Sequence, residues 1–119
     1  MEISLKQVND VMLALNGGND SEGNPLAIWQ GLLAKASTKT CHMARAKLIL
    51  LRECVKPHHT AFVDQASTQT AENAQEVYES LTQTFVTISC SSISWSILEG
   101  VDITADELEA LLPVLNMEE

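Results

Sequence analysis

The spacing of apolar residues changes near Thr84, and that change limits the folds that the chain can adopt. Before Thr84, apolar residues recur at the spacing of helices that bury one face. After it, they alternate with polar residues in two runs, the pattern of half-buried strands. The runs are Val86, Ile88 and Cys90, and then Ile93, Trp95 and Ile97. The sequence therefore predicts helices followed by one or two strands.

Two helices are expected in the first third of the chain. Ser4 and Gln7 have the spacing of a capping box, so the first helix begins at Ser4. It ends where Gly17 can adopt the left-handed conformation at low cost. The second is expected to begin at Asn24 and Pro25, because a proline at the first helical position loses no hydrogen bond. A polar loop connects the two helices.

The third helix is predicted to run from about Thr40 to Val55 and to be ended by Pro57, since the residue before a proline is pushed out of helical geometry. A short helix at Thr60–Gln65 and a fourth helix capped by Thr70 follow. The fourth helix is expected to bury Tyr78 with its other apolar residues. The buried side of the third helix is predicted to hold Cys41, Ala44, Leu48, Leu51 and Val55.

The last third is predicted to hold the strands and a terminal helix. The inward positions change from even to odd near Ser91, so a bulge or a tight hairpin is expected there. Thr104 and Glu107 form another capping box, and Pro113 shortens or kinks the helix that follows. Its apolar face is predicted to be Leu108, Leu111, Leu112 and Leu115.

These patterns place the chain in the mainly α (α+β) class. We expect a bundle of four to five helices, one or two short antiparallel strands at about residues 84–98, and a short C-terminal helix. A length of 119 residues and an apolar content of 45% fit a single domain spanning residues 1–119 with a substantial core.

Charge is divided unevenly along the chain. All seven Lys and Arg residues lie at or before Lys56, whereas eleven of the sixteen Asp and Glu residues lie after it. An acidic surface repels nucleic acids and anionic membranes, because both are negatively charged. It attracts basic proteins and speeds their encounter. We therefore expect a protein partner with a basic surface and no direct binding to nucleic acid or membrane; the alternative is that the acidity only maintains solubility.

The cysteines and histidines are candidate metal ligands, and a cysteine with a histidine could also form a thiol nucleophile. Cys41, His42, Cys54, His58 and His59 include residue types that bind zinc, but no CxxC or HxxxH pair is present. We therefore expect no metal and no other cofactor, and we interpret the cysteines as small apolar residues. The N-terminal residues lack the regions of a signal peptide, so reduced thiols and a cytoplasmic location are expected.

Two acidic rows in the C-terminal half form the predicted partner-binding site. No Lys or Arg lies between them in the sequence, so together they could imitate a row of phosphates and occupy a nucleic-acid-binding channel. The cap and the helix dipole account for part of the second row, namely Asp106 and Glu107. The predicted site residues are Glu72, Glu76, Glu79, Asp102, Asp106 and Glu109.

Two stretches resemble small helical accessory proteins encoded in tailed-phage genomes. One is AxAKLxLLRE, from Ala44 to Glu53, and the other is the ending FVTI…SILEGVDITADELEALLPVL with its LxALxPxL helix. The resemblance implies a helical hairpin, a linker, an edge strand and a short terminal helix. It also implies a phage or mobile-element origin, and thus the cytoplasm of a host cell. The glycine-rich loop at Asn16–Asn24 departs from that pattern.

The sequence lacks the motifs of common enzymes, so we predict a protein that is not an enzyme. The leading hypothesis is an acidic inhibitor of a host nucleic-acid-processing or defence complex, that is, an anti-defence or anti-CRISPR-like protein. The alternative is a phage assembly factor or tail-module chaperone. A small zinc or thiol enzyme is the remote alternative. A homodimer is left open, because a strand with few partners can pair across a dimer axis.

Overall fold

The first helix, α1, is the element around which the other helices pack. The structure, a computed structural model, describes residues 2–24, 26–36, 42–89, 92–98 and 101–116. The helices of the described residues are α1 (Leu5–Asn16), α2 (Leu32–Lys35), α3 (His42–Ala66), α4 (Ala74–Gln83) and α5 (Ala105–Leu111). All four later helices contact α1. The predicted mainly helical class is thus confirmed, with a short terminal helix and a short antiparallel sheet.

The core forms where α1 and α3 face each other. Val8, Val11 and Leu15 of α1 are fully buried, and Leu51 and Val55 of α3 are buried with them. Each such side chain stabilises the fold by about 1.5–3 kcal/mol relative to an exposed one. The capping box of Ser4 and the stop at Gly17 are present as predicted. The predicted inward side of α3 is confirmed for Ala44, Leu48, Leu51 and Val55, while Cys41 lies outside the described residues.

The prediction that Pro57 ends the third helix is wrong, because α3 continues through it to Ala66. The predicted short helix at Thr60–Gln65 is the second half of α3. A proline removes the hydrogen bond to the carbonyl four residues earlier, here that of Glu53. Pro57 and Glu53 are both exposed, so water can satisfy this carbonyl. Phe62 further along packs in a second apolar cluster, and that packing favours a continuous helix.

The second helix is much shorter than predicted. Residues 26–31 form a loop, and Pro25 lies outside the described residues. The loop satisfies its backbone groups elsewhere: the Gly18 amide donates to the Trp29 carbonyl at 3.0 Å, and the Leu26 amide donates to the Gly18 carbonyl at 2.9 Å. Gly31 has a φ of +89°, and a Cβ there would lie 3.2 Å from the backbone of Asn16. This close approach explains why helix α2 begins only after Gly31.

Of the two alternatives predicted near Ser91, the tight hairpin is wrong, because the two predicted strands pair with other segments of the chain, and the bulge lies outside the described residues. Strand β2 (Phe85–Thr87) pairs antiparallel with an unpredicted N-terminal strand, β1 (Glu2–Ser4). Strand β3 (Ile93–Ser94) pairs in parallel with β4 (Leu115–Asn116), and a 3₁₀ turn follows β3 at Trp95–Leu98. Cys90 and Ser91 lie outside the described residues. Alternation correctly placed Ile88 in the core, but it carries no information about which strand is the partner.

The start of α4 differs from the prediction. Thr70 does accept a hydrogen bond from the Asn73 amide at 3.3 Å, but the helix begins at Ala74 and its N-cap is Asn73. Val77 and Leu81 are buried, whereas Tyr78, predicted to face inward, is 50% exposed. Tyr78 is exposed because α4 packs only along one narrow stripe, at Val77 and Leu81.

Helix α5 begins with the predicted capping box of Thr104 and Glu107, and it ends in a 3₁₀ turn that contains Pro113. Its buried face is rotated from the prediction. Leu111 is buried, but Leu108 and Leu112 are exposed. Ala110 and Glu107 take the inward positions instead, because the Glu107 carboxylate has donors inside the protein. Among the described residues, no helix is both long and apolar enough to cross a bilayer.

Candidate functional site

A buried carboxylate, that of Glu107, joins the start of α5 to the loop before α2. Its Oε1 atom accepts from Lys35 Nζ at 2.6 Å and from the Thr104 amide at 3.0 Å. Its Oε2 atom accepts from the amides of Gly31 at 2.9 Å and Gln30 at 3.1 Å. Glu107 is fully buried, and four donors surround it. We call this group of residues the Glu107 junction.

The Glu107 junction favours the charged form of its carboxyl group. Burial by itself would raise the pKa of Glu107, but the hydrogen bonds from Lys35, Thr104 and Gly31 outweigh it and leave the pKa below its ordinary value. The ion pair with Lys35 provides the matching charge. Because its lone pairs are engaged by donors of the protein, Glu107 holds the fold together and does not face a ligand.

An open cleft lies beside this junction, between α1, α5 and the Trp29 side chain. Its volume is about 360 Å³. Lys6 and Asp10 come from α1, one helical turn apart, while Asp106 and Glu109 lie one turn apart on α5. We call it the α1–α5 cleft. Its lining includes Lys6, Asp10, Trp29, Asp106, Glu109 and Pro113.

The α1–α5 cleft has a net negative charge. Lys6 Nζ lies 2.8 Å from Asp10 Oδ2, and this hydrogen bond raises the pKa of Lys6, as do the nearby Tyr78 and Glu109. Lys6 and Asp10 therefore neutralise each other. Asp106 and Glu109 form no salt bridge with any of the described residues, and both are exposed. Their two charges remain available to a cation in the cleft.

The structure brings together some of the predicted site residues. Asp106 and Glu109 line the same cleft, and Asp102 is exposed just before α5. The row on and before α4 is exposed as predicted, and its members are Glu72, Glu76 and Glu79. Helix α1 contacts both α4 and α5.

The sequence analysis did not predict that Lys6, Asp10 and Trp29 line the cleft, because these residues are far along the chain from Asp106 and Glu109. Lys6 and Asp10 had a detectable signal, since opposite charges four residues apart pair on a helix. Trp29 lies in the stretch predicted as the second helix, and no local pattern indicates that it lines a cleft. The burial of Glu107 was missed as well, because its capping role gave a sufficient explanation.

The candidate metal ligands do not form a site in the described part of the chain, where no three His, Cys, Asp or Glu residues lie close enough to hold a metal ion. Cys41 and the side chain of His42 lie outside it. Because α3 is continuous through Pro57, Cys54 and His58 are one turn apart on one helix, contrary to prediction. His59 contacts other groups: its Nε2 lies 3.3 Å from Asn9 Oδ1, and its ring stacks on Phe62.

No protein family matches the chain, and neither the curated proteins nor the solved structures include a match.

Proposed function

We propose that this protein is a non-enzymatic inhibitor of phage or mobile-element type. It acts by docking its acidic surface onto the basic surface of a host nucleic-acid-processing or defence complex. The observation that carries the proposal is the negative charge of the α1–α5 cleft, together with the exposed carboxylates on and before α4, a helix that also contacts α1. The chain has no Lys or Arg after Lys56 that could neutralise them.

The distribution of charge over the elements supports docking through the acidic helices. The Lys and Arg residues of the chain are concentrated on α3, where Arg45, Lys47, Arg52 and Lys56 lie. Arg45 donates to the Leu33 carbonyl and Arg52 pairs with Glu53, so neither neutralises the acidic rows. A molecule polarised in this way is oriented by a basic partner as it approaches, which raises the rate of productive encounter.

Competition with nucleic acid follows from the same chemistry. A basic channel that binds DNA or RNA gains most of its affinity from phosphate contacts. The carboxylates on α4 and α5 can pair with the basic residues of such a channel in place of the phosphates of a nucleic acid. Occupation of the channel would then exclude the nucleic acid, and inhibition would need no catalytic group.

The proposal is tested by capturing partners from a bacterial lysate on the immobilised protein. We expect the captured proteins to have basic nucleic-acid-binding surfaces, and duplex DNA added as a competitor should release them. Neutralising Glu72, Glu76 and Glu79 together as Gln should reduce capture strongly, because opposite charges at the interface are lost.

A matched control removes three negative charges from other parts of the surface, at Glu22, Glu53 and Asp64. This variant should capture the same partners as the original protein. Equal loss of capture in the two variants would contradict docking through the acidic surface. Capture of virion proteins that DNA does not displace would instead favour the role in phage assembly.

A further inference from the structure

The α1–α5 cleft has features beyond its charge that define what it can bind. We propose that it receives an arginine side chain of the basic partner, an inference that rests on the function proposed above. Three observations carry the argument: the volume of the open cleft, the ordered loop that holds Trp29, and the two carboxylates without an ion-pair partner among the described residues.

The volume suits one side chain of a partner protein. At about 360 Å³, the cleft lies at the lower end of the range for small-molecule sites, roughly 300–1,000 Å³. Its lining comes from α1, from α5 and the turn after it, and from Trp29 of the loop before α2. A long unbranched side chain with a polar end can enter such a cleft without any rearrangement of the backbone.

Trp29 is held in place by bonds on both sides of it in the sequence. The Ile28 carbonyl accepts a hydrogen bond from Thr104 Oγ1 at 2.8 Å. The amides of Gln30 and Gly31 donate to Glu107. The Glu107 junction therefore fixes the loop to α5 before any ligand arrives. A wall that is already ordered costs little further entropy when a partner binds.

The chemistry of the lining favours a guanidinium group over an ammonium group. A guanidinium is planar and weakly hydrated, so it can lie against an indole ring while its N–H groups donate to carboxylates. Trp29 provides the half-buried indole, and Asp106 and Glu109 provide the carboxylates. Asp10 remains engaged with Lys6, so the charge left for the ligand comes from α5.

The inference is tested by NMR titration of the ¹⁵N-labelled protein with the blocked tripeptide Gly-Arg-Gly. The same peptide with citrulline in place of arginine keeps the shape but has no charge, and Gly-Lys-Gly has an ammonium group. We expect the arginine peptide to shift the indole N–H signal of Trp29 and the backbone signals of residues 106–113. The lysine peptide should bind several-fold more weakly, and the citrulline peptide should cause no shift.

Two pairs of substitutions with equal changes in charge locate the site. The double substitution Asp106→Asn and Glu109→Gln should lower the affinity for the arginine peptide by about fivefold or more, because two charged contacts are lost. Glu22→Gln with Asp64→Asn, at two exposed positions outside the acidic rows, should leave its affinity unchanged. Trp29→Leu keeps an apolar side chain but removes the ring, and it should weaken binding by about two- to fivefold. A dispersed spectrum verifies the fold of each variant.

The inference is overturned if the citrulline peptide shifts the same signals, if the arginine peptide shifts none of them, or if the substitutions at Glu22 and Asp64 weaken binding as much as those at Asp106 and Glu109. Failure of the proposed function gives a different result. If the arginine peptide occupies the cleft but no basic partner is captured, the function is wrong and the specificity of the cleft stands. If partners are captured by the cleft variant as by the original protein, the function stands and the cleft is not their site.

Discussion

At the scale of single residues, Glu107 has one role that the sequence predicts and another that only the structure reveals. Its position as the third residue of a capping box is visible in the sequence, and the structure confirms the box. Its contacts with Gly31 and Lys35 span more than seventy positions of the chain, at sequence separations of 76 and 72. No local pattern reports such contacts, so the sequence predicted the cap and missed the junction.

Replacing Glu107 with Gln should destabilise the protein substantially. The substitution removes the charge that balances Lys35, whose side chain is only 17% exposed. It also replaces one carboxylate oxygen, which accepts hydrogen bonds, by an NH₂ group that cannot accept them from the surrounding donors. Breaking a buried pair costs about 3–5 kcal/mol, and we expect the lower end of this range because Lys35 keeps some contact with water. Urea unfolding measures the loss. Glu109→Gln on the exposed side of α5 is the control, and it should change stability by less than about 1 kcal/mol. Equal effects would mean that the junction contributes little.

The lowered pKa of Glu107 predicts a specific dependence on pH. The unfolded chain binds this proton with a pKa of about 4.3, and the folded protein binds it only at lower pH. The stabilisation is therefore fully present above about pH 4.3 and is lost as the pH falls through the folded pKa. Urea unfolding between about pH 6 and about pH 3 should show this loss in the original protein. The difference between the original and Glu107→Gln should shrink over the same range; a constant difference would contradict the assignment.

Gly31 and Gly23 provide a matched pair of glycines for a test of the loop. Both have positive φ angles, +89° and +86°, but a Cβ at Gly31 would lie 3.2 Å from the backbone of Asn16 whereas one at Gly23 has nothing within 4 Å. Gly23→Ala should cost about 1–2 kcal/mol from the backbone conformation alone. Gly31→Ala should cost more, because the loop must also move away from α1 and from Glu107. Thermal unfolding compares the two, and equal losses would show that the close approach is unimportant.

At the scale of elements, the sequence predicted which residues form helices better than it predicted where the helices end. Periodicity identified the buried faces of α1 and α3, since these depend on local spacing. It failed at Pro57, where burial of Phe62 and its neighbours favours a continuous helix despite the proline. It failed also at residues 26–31, where hydrogen bonds to a distant loop replace those of a helix. In both places tertiary contacts outweighed local preference.

Replacing Pro57 with Ala should stabilise the protein. The change restores an amide that can donate to the Glu53 carbonyl, and it removes the crowding by the proline ring; together these are worth about 3 kcal/mol in a helix interior. The unfolded chain gains freedom, which offsets up to about 1 kcal/mol. A net gain of about 2 kcal/mol is expected in urea unfolding. Thr60→Ala, at another exposed position of α3, is the control and should gain less than about 1 kcal/mol. A loss of stability in Pro57→Ala would contradict this account of α3.

At the scale of the whole molecule, the sequence shows how charge is divided along the chain, but it does not show how the charged residues are arranged in space. The sequence identified Asp106 and Glu109 as candidate contacts, and they line the cleft. It could not indicate that Lys6, Asp10 and Trp29 complete that cleft, because their approach depends on how α1 and the loop pack against α5. The functional use of the acidic surface remains a proposal that only a binding experiment can test.

The most direct test of acidic docking is the affinity of a captured partner measured at increasing salt concentration. Between about 50 mM and about 300 mM salt, the association constant should fall steeply, because exposed charges are screened over progressively shorter distances. The slope should be smaller for the variant in which Glu72, Glu76 and Glu79 are neutralised than for the one with changes at Glu22, Glu53 and Asp64. An affinity that stays constant over this range, or equal slopes in the two variants, would contradict the proposal.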